Sequence, residues 1–281
     1  MGLSKLCDEG IIQQCQQRSA DPSCIVGDAT LGRNVILLTE NVVVKFGLGV
    51  TLQEASAQRL AFQRVRTDIL RDPRVHWFFT RPDWRHQSTG YLVMERIIGC
   101  DLAHIGHDKA GLLPRIVAGL DAIHSLPGKA PGPVSGGEAH GSVWSESGAG
   151  MPFSGITGLR TYLNERLAMF GTSIRLHEEE LCLCHMDVAP RNVMIDLKGR
   201  LCLLDWATAG FYPRYFELWS IEFSQHVMAS DFGQELLHSL NASAEEILQV
   251  EKLNLVYRYT THFASYRHFD ETYIIIAAIS S

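Results

Sequence analysis

Apolar and polar positions change rhythm along this chain, and the change divides it. In the first third, short β-branched and aliphatic runs predict strands. Ile36-Leu37-Leu38 and Val42-Val43-Val44-Lys45-Phe46 are joined by a Thr39-Glu40-Asn41 turn, and Tyr91-Leu92-Val93-Met94-Glu95 follows later, ended by Gly99. Between them, Thr51 to Val65 switches to helical character, with Thr51 as N-cap and Glu54 as its capping-box partner. Helical spacing returns at Leu112 to His124, where Ile116, Leu120 and Ile123 share a face, and again at Ile156 to Phe170. Leu181 to Cys184, Val193 to Asp196 and Leu201 to Leu204 read as strands, the last two separated by a Leu197-Lys198-Gly199-Arg200 turn. From Tyr215 onward the pattern is mainly helical. Pro127 to Gly150 is dense in Gly, Pro and Ser without periodicity, which predicts a long surface loop. No internal repeats interrupt this plan. A strand-rich front and a helix-rich back predict two lobes meeting near Glu95 to Gly99, namely residues 1–97 and residues 98–281.

Composition and charge narrow the partners. Apolar residues at 46% and charged ones at 20% supply an ordinary folded core for 281 residues. A net charge of −6 leaves no basic excess to neutralise phosphates, which argues against nucleic acid as the principal partner. No basic-then-apolar leader begins the chain, and Leu6 stands where a myristoylation motif needs Ser or Thr. No apolar run approaches the roughly 18 residues a bilayer span requires; Tyr273 to Ile279 is far too short. A cytoplasmic protein without a membrane partner is expected. Seven cysteines with no CxxC pair imply neither a zinc site nor a disulfide framework, and reduced thiols agree with that location. Cys182-Leu183-Cys184-His185 reads as a buried strand entering a loop rather than a metal cluster. Asn241-Ala242-Ser243 is a chance glycosylation sequon.

The densest chemistry lies between His185 and Glu217. His185-Met186-Asp187 is followed, after four intervening residues, by Asn192, and Asp205-Trp206 ends an apolar run ahead of Ala209-Gly210, Pro213 and Glu217. An aspartate and an asparagine at this spacing, with a second aspartate further on, suit a nucleoside triphosphate held on magnesium. Asp187 is the candidate catalytic base that orients a substrate hydroxyl, while Asn192 and Asp205 offer hard oxygen ligands to the metal. Lys45 closes the Val42-Val43-Val44 run, where its ammonium would reach a nucleotide's α- and β-phosphates, and Glu54 is the natural partner to hold it. Any one of these residues alone would be an ordinary strand-end or loop residue; the ordered set points to phosphoryl transfer. His185 is expected to brace the loop, and His124 and His226 default to packing or surface roles. Glu178-Glu179-Glu180 reads as a solvated face. Gly27 and Gly32 are spaced like a P-loop's glycines, but Arg33-Asn34 stands where Lys and Ser or Thr belong, so a Walker site is excluded.

These residues together resemble the aminoglycoside phosphotransferase and choline kinase group, which share the protein-kinase-like fold. The resemblance rests on Val42 to Lys45, Glu54, Tyr91 to Glu95, His124, His185-x-Asp187-x4-Asn192, and Asp205-Trp206-x2-Ala209-Gly210-x2-Pro213-x3-Glu217. It implies an α+β, bilobal fold with a β-rich nucleotide-binding lobe, a mostly helical catalytic and substrate lobe, and the nucleotide cleft between them. It implies ATP and magnesium as cofactors, with Lys45 on the phosphates, Asp187 as base, and Asn192 and Asp205 on the metal. Glu95 and Ile97 would offer backbone groups to the adenine. Trp206 stands where protein kinases carry the Phe of Asp-Phe-Gly, and Ala207 replaces the Gly, a departure that matches small-molecule kinases. No Ala-Pro-Glu-like segment follows Asp205, which argues against a protein kinase. Pro131 to Gly137 is similar to uncharacterised fungal members rather than to antibiotic-resistance enzymes, so no aminoglycoside substrate is carried over. The expected function is an ATP- and magnesium-dependent phosphotransferase acting on a hydroxyl of a small molecule. A catalytically idle, kinase-like nucleotide-binding or scaffolding module is the alternative.

Overall fold

The structure, a computed structural model, describes residues 7–26, 34–82, 87–105, 110–144, 148–177, 180–228 and 231–262. The front half runs α1 (Asp8–Arg18), β1 (Asn34–Thr39), β2 (Val42–Gly47), α2 (Leu52–Arg64), β3 (Val75–Pro82), β4 (Ser88–Glu95), β5 (Gly99–Asp101) and α3 (Leu113–His124). It continues with β6 (Gly132–Pro133), α4 (Ile156–Leu167), β7 (Leu181–Cys184), β8 (Val193–Asp196), β9 (Leu201–Leu203) and β10 (Gly210–Pro213). Three helices follow: α5 (Tyr215–Met228), α6 (Asp231–Ser239) and α7 (Ala244–His262). Gly27, Gly32, Glu178, Glu179 and the Tyr273 to Ile279 run lie outside the described residues. By contacts the chain forms two compact units: Met1–Ala122 with Pro190–Ala209, and Ile123–Ala189 with Gly210–Ser281.

In the first unit, four antiparallel strands form a sheet in the order β1-β2-β4-β3. Period-two alternation sends the side chains of β2 to opposite faces. Val42 and Val44 join Ile36, Leu38, Tyr91 and Val93 on the face that receives Ile11 and Cys15 of α1. Phe46, Tyr91 and Phe79 stack across that sheet with ring planes 4° apart in each pair. The sequence pattern did not reveal α1, because its Gln-rich stretch has few apolar positions; tertiary contact with the sheet and an Arg18 Nη1 bond of 2.8 Å to Leu37 O hold it. Strand β3 was also missed. Beside β4, Val50 and Ala55 pack with Leu92, with Val75, Phe78 and Met94 at the margin. The small Ala55, Ala57 and Ala61 of α2 are fully buried. Thr51 caps this helix as expected, its Oγ1 accepting the Glu54 N–H at 3.4 Å.

A second, three-stranded sheet of this unit orders β5-β8-β9. Gly99, expected to end β4, instead opens β5, and a Cβ there would fall 2.1 Å from Ile195 O. Glycine lets the two backbones approach. The β8–β9 hairpin follows the expected Leu197-to-Arg200 turn, with Gly199 at φ +72°.

The second unit builds a three-stranded sheet, β6-β10-β7, and a helical core. Pro127 to Gly150 is not wholly the surface loop its composition suggested. It contributes β6, and Trp144 is fully buried against Phe153, Tyr162, Tyr212 and Phe216. One large aromatic outweighs the polar neighbours that dominate the local composition. Leu181 to Cys184 forms the expected buried strand. Trp219 ties α5 to α7 through an indole N–H bond of 2.8 Å to Asn254 Oδ1. Among the described residues, no helix is long and apolar enough to cross a membrane.

One buried group of the first unit predicts a pH effect. Asp72 is 1% exposed, and neither carboxylate oxygen has a hydrogen-bond partner among the described residues. Burial pushes its pKa well above 3.8, opposed by the neighbouring Arg71 charge. The folded state therefore binds a proton that the unfolded chain releases above about pH 4, so this residue's contribution to stability falls as pH rises through that window. Thermal unfolding of Asp72→Asn should show a Tm raised by about 3 °C at pH 8 and nearly unchanged at pH 4.

Candidate active site

Lys45 lies in the middle of β2, opposite Leu92 of β4, with its side chain on the face away from α1. The first turn of α2 brings Glu54 beneath it. Lys45 Nζ donates to Glu54 Oε1 at 2.5 Å and to Asp205 Oδ1 at 2.8 Å. Lys45 is 5% exposed and Glu54 1%, whereas the Asp205 side chain retains 29%. Burial alone would lower the Lys45 pKa, but the Glu54 and Asp205 carboxylates outweigh it and hold the ammonium above its ordinary 10.5. The lysine is therefore a fixed cation. The pairing expected between Lys45 and Glu54 is present, and Asp205 joins it.

The hairpin of β8 and β9 organises the two expected metal ligands. A 3-10 turn, Pro190–Asn192, leads into β8, and the Leu204 N–H donates 2.8 Å to Asn192 O, closing the ladder just before Asp205. Asn192 and Asp205 thus flank the open end of one hairpin. Asp205 adopts φ +61°, a left-handed conformation uncommon outside glycine. The next residue, Trp206, is fully buried and its indole N–H donates 3.4 Å to Leu203 O. An amide and a partly exposed carboxylate are hard oxygen donors of the kind magnesium takes, so the residues present fit that ion.

Of the expected adenine contacts, Glu95 ends β4 and Ile97 follows in the connection to β5. The Glu95 N–H already donates to Arg74 O at 2.9 Å, while its carboxylate pairs with Arg71.

In the second unit, Asp187 sits on the loop leaving β7, half-buried. The backbone of that loop is braced from α5. His185 N–H donates 2.5 Å to Glu217 Oε2, and Met186 N–H donates 2.8 Å to Glu217 Oε1. Between them the chain turns through Met186 at φ +66°, which two bonds to one carboxylate over-determine. The Asp187 N–H then donates 3.3 Å to His185 Nδ1, so His185 braces the loop as expected. His124, assigned to packing from sequence, places Nε2 3.6 Å from Glu217 Oε2. Burial pushes the fully buried Glu217 carboxyl up, but His124, His185 and the backbone N–H bond from His185 outweigh it and keep the pKa below 4.5.

His124, Cys184 and Glu217 bring potential ligand atoms within 4.8 Å of one another. Both Glu217 oxygens serve the loop backbone, and burial holds the Cys184 thiol well above its ordinary range. The cluster braces the loop rather than holding an ion. Sequence reading placed Glu217 in the motif without a role and left His124 unpartnered. The one signal available was the spacing of an acidic residue four positions after Pro213, which does not say what the acid holds.

The chain belongs to the phosphotransferase enzyme family, whose sequence model matches residues 26–249. Among solved structures, aminoglycoside phosphotransferase APH(4)-Ia is similar over 86% of this chain and 86% of its own, with 14% identity and a TM-score of 0.52. The GDP and kanamycin complex of APH(2")-IIia is similar over 96% of both chains, with 13% identity and a TM-score of 0.51. A thermostable APH(4)-Ia mutant in ternary complex with AMP-PNP and hygromycin B covers 89% of this chain and 88% of its own, at 13% identity and a TM-score of 0.53. At these identities the likeness is one of fold, and it agrees with the α+β, kinase-like class read from the sequence. Among curated proteins, no sequence matches the chain.

Removing the brace tests its weight. Glu217→Ala strands two backbone N–H groups and an imidazole in a buried site, so urea unfolding at pH 7 should show a loss of about 3–5 kcal/mol. Because the folded pKa of Glu217 is lowered, its contribution is present above 4.5 and lost as pH falls through the folded value. The gap between wild type and variant should therefore narrow below pH 4.5.

Proposed function

We propose that this chain is a kinase that moves the γ-phosphoryl group of ATP, with magnesium, to a hydroxyl of a small molecule. The observation that carries the reading is the buried Lys45 ammonium, held at 2.5 Å by Glu54 and at 2.8 Å by Asp205. Two of its three N–H donors are used there, and the third is assigned to an α- or β-phosphate oxygen. Asn192 and Asp205 would hold magnesium, which when bound neutralises the phosphate charge. Asp187 would accept the hydroxyl proton as that oxygen bonds to the γ-phosphorus and ADP departs, a positioning task more than a difficult deprotonation. With the Glu95 N–H engaged by Arg74, the adenine contacts are assigned to the Glu95 carbonyl and the backbone of Ile97.

Residues 1–97 would form the nucleotide lobe and residues 98–281 the catalytic and acceptor lobe. Structural relatives solved with GDP, with AMP-PNP, and with kanamycin or hygromycin B agree with a nucleotide and a hydroxylated acceptor. A cytoplasmic location belongs to the same reading, supported by seven cysteines that are all free thiols.

Thermal shift with ATP provides the first test: stabilisation should require magnesium and should weaken in Asp205→Ala. Turnover is then sought with ATP, magnesium and a panel of hydroxylated metabolites that includes amino sugars and choline. Asp187→Ala should keep nucleotide binding and lose at least about a hundredfold in kcat. Binding without turnover across the panel would favour an idle nucleotide-binding module. Neither binding nor turnover would sink the kinase reading.

A further inference from the structure

A second charged cluster of the first unit surrounds Arg71, in the bend between α2 and β3, and takes no part in holding Lys45. Arg71 Nη2 pairs with Glu95 Oε1 at the end of β4. On its other side, Nε lies 3.9 Å from Asp196 Oδ2 at the end of β8. The Arg71 backbone N–H donates 2.8 Å to Leu201 O, and the residue forms a parallel bridge with Cys202 of β9. Both carboxylates have further partners that fix their orientation. Glu95 Oε2 accepts the Arg74 N–H at 3.2 Å, and Asp196 takes the Lys198 and Arg200 N–H groups at 2.9 and 2.8 Å. The Arg200 side chain adds an Nε bond of 2.8 Å to Asp196 Oδ2, and the Leu197 N–H reaches Ile98 O at 3.1 Å. The turn end of the β8–β9 hairpin is thereby tied to the segment Glu95–Ile98, while its open end carries Asn192 and Asp205.

We propose that Arg71 is a positioning residue that sets the separation between the adenine end and the metal end of the nucleotide site. This rests on the assignment of Lys45, Asn192 and Asp205 to a magnesium–nucleotide site. A nucleoside triphosphate has a nearly fixed reach, so two chain segments bind its two ends together only if their spacing is set beforehand. The Arg71 guanidinium hydrogen-bonds Glu95 and lies within ion-pair distance of Asp196, a span that the single ammonium of lysine does not reproduce. At 15% side-chain exposure the guanidinium is poorly screened by solvent, unlike a surface ion pair. Its backbone N–H bond to Leu201 O survives any side-chain change except proline, so the effect of the guanidinium is separable from the bridge.

Calorimetric titration of the full chain with AMP-PNP, in magnesium and in EDTA, measures the coupling directly. In Arg71→Ala, the gain in affinity on adding magnesium should fall about tenfold or more, while affinity in EDTA stays within about twofold of wild type. Arg71→Lys should lose most of the same gain, and Arg71→Gln carries the comparison if the alanine variant does not fold. A magnesium gain equal to wild type in all these variants overturns the assignment of Arg71, as does an equal loss with and without magnesium. Wild-type protein that binds AMP-PNP in neither condition overturns the nucleotide reading, and this inference with it. Failure of the positioning role alone is recognised by intact wild-type binding.

Discussion

A lysine ammonium between two carboxylates, almost sealed from water, is the constraint on which the first unit turns. Three elements meet at Lys45: strand β2, the first turn of α2, and the residue that follows the β8–β9 hairpin. Removing a charge from water costs several kcal/mol per ion, and the mutual attraction offsets that only when the geometry is close. Each element must therefore hold its register. β2 must turn Lys45 away from α1, α2 must start at Thr51 so that Glu54 faces the strand, and the hairpin must end where Asp205 reaches back. An apolar trio of equal volume would stabilise the fold at least as well, so such a cluster points to chemistry more than to stability. One ammonium and two carboxylates leave an excess negative charge, in keeping with a further cation at this place.

The second unit solves a different problem with related means. Asp187 sits on an irregular loop whose backbone cannot satisfy itself, and a buried carboxylate does so from outside. Glu217 accepts two consecutive N–H groups and has the His124 imidazole 3.6 Å away. The strain of Met186 is stored where the loop must turn to present Asp187. Asp205 carries a similar left-handed backbone in the first unit. Both non-glycine residues persist in this conformation because neighbouring bonds over-determine it.

Much of this could be read along the chain because it depends on close neighbours in sequence. The β-branched run of Val42 to Phe46, the Thr51 cap and the Leu197-to-Arg200 turn are short-range signals, and each is found where expected. Segments held by distant contacts were not legible. Helix α1 depends on the sheet it covers, β3 on pairing with β4, β6 on pairing with β10, and β10 on pairing with β7. Trp144 looked like one residue in a polar loop, yet it anchors an aromatic core whose other members begin nine or more residues away. Arg71 carries no motif at all; its partners lie at positions 95, 196 and 201.

By itself, the sequence determined the kinds of chemical group available and the local elements that carry them, since period, capping and turn signals act over a few residues. A base, an amide, an aspartate and a lysine at suggestive spacings could be named, and with them a reaction class. Only the tertiary structure decided which of these groups meet. Lys45 and Asp205 are 160 residues apart in sequence and 2.8 Å apart in space. It also decided that Glu217 is a carboxylate that braces a loop, and that burial pushes the Asp72 carboxyl well above its ordinary range. Ionisation and hydrogen bonding depend on distance and desolvation, and both are properties of the folded chain.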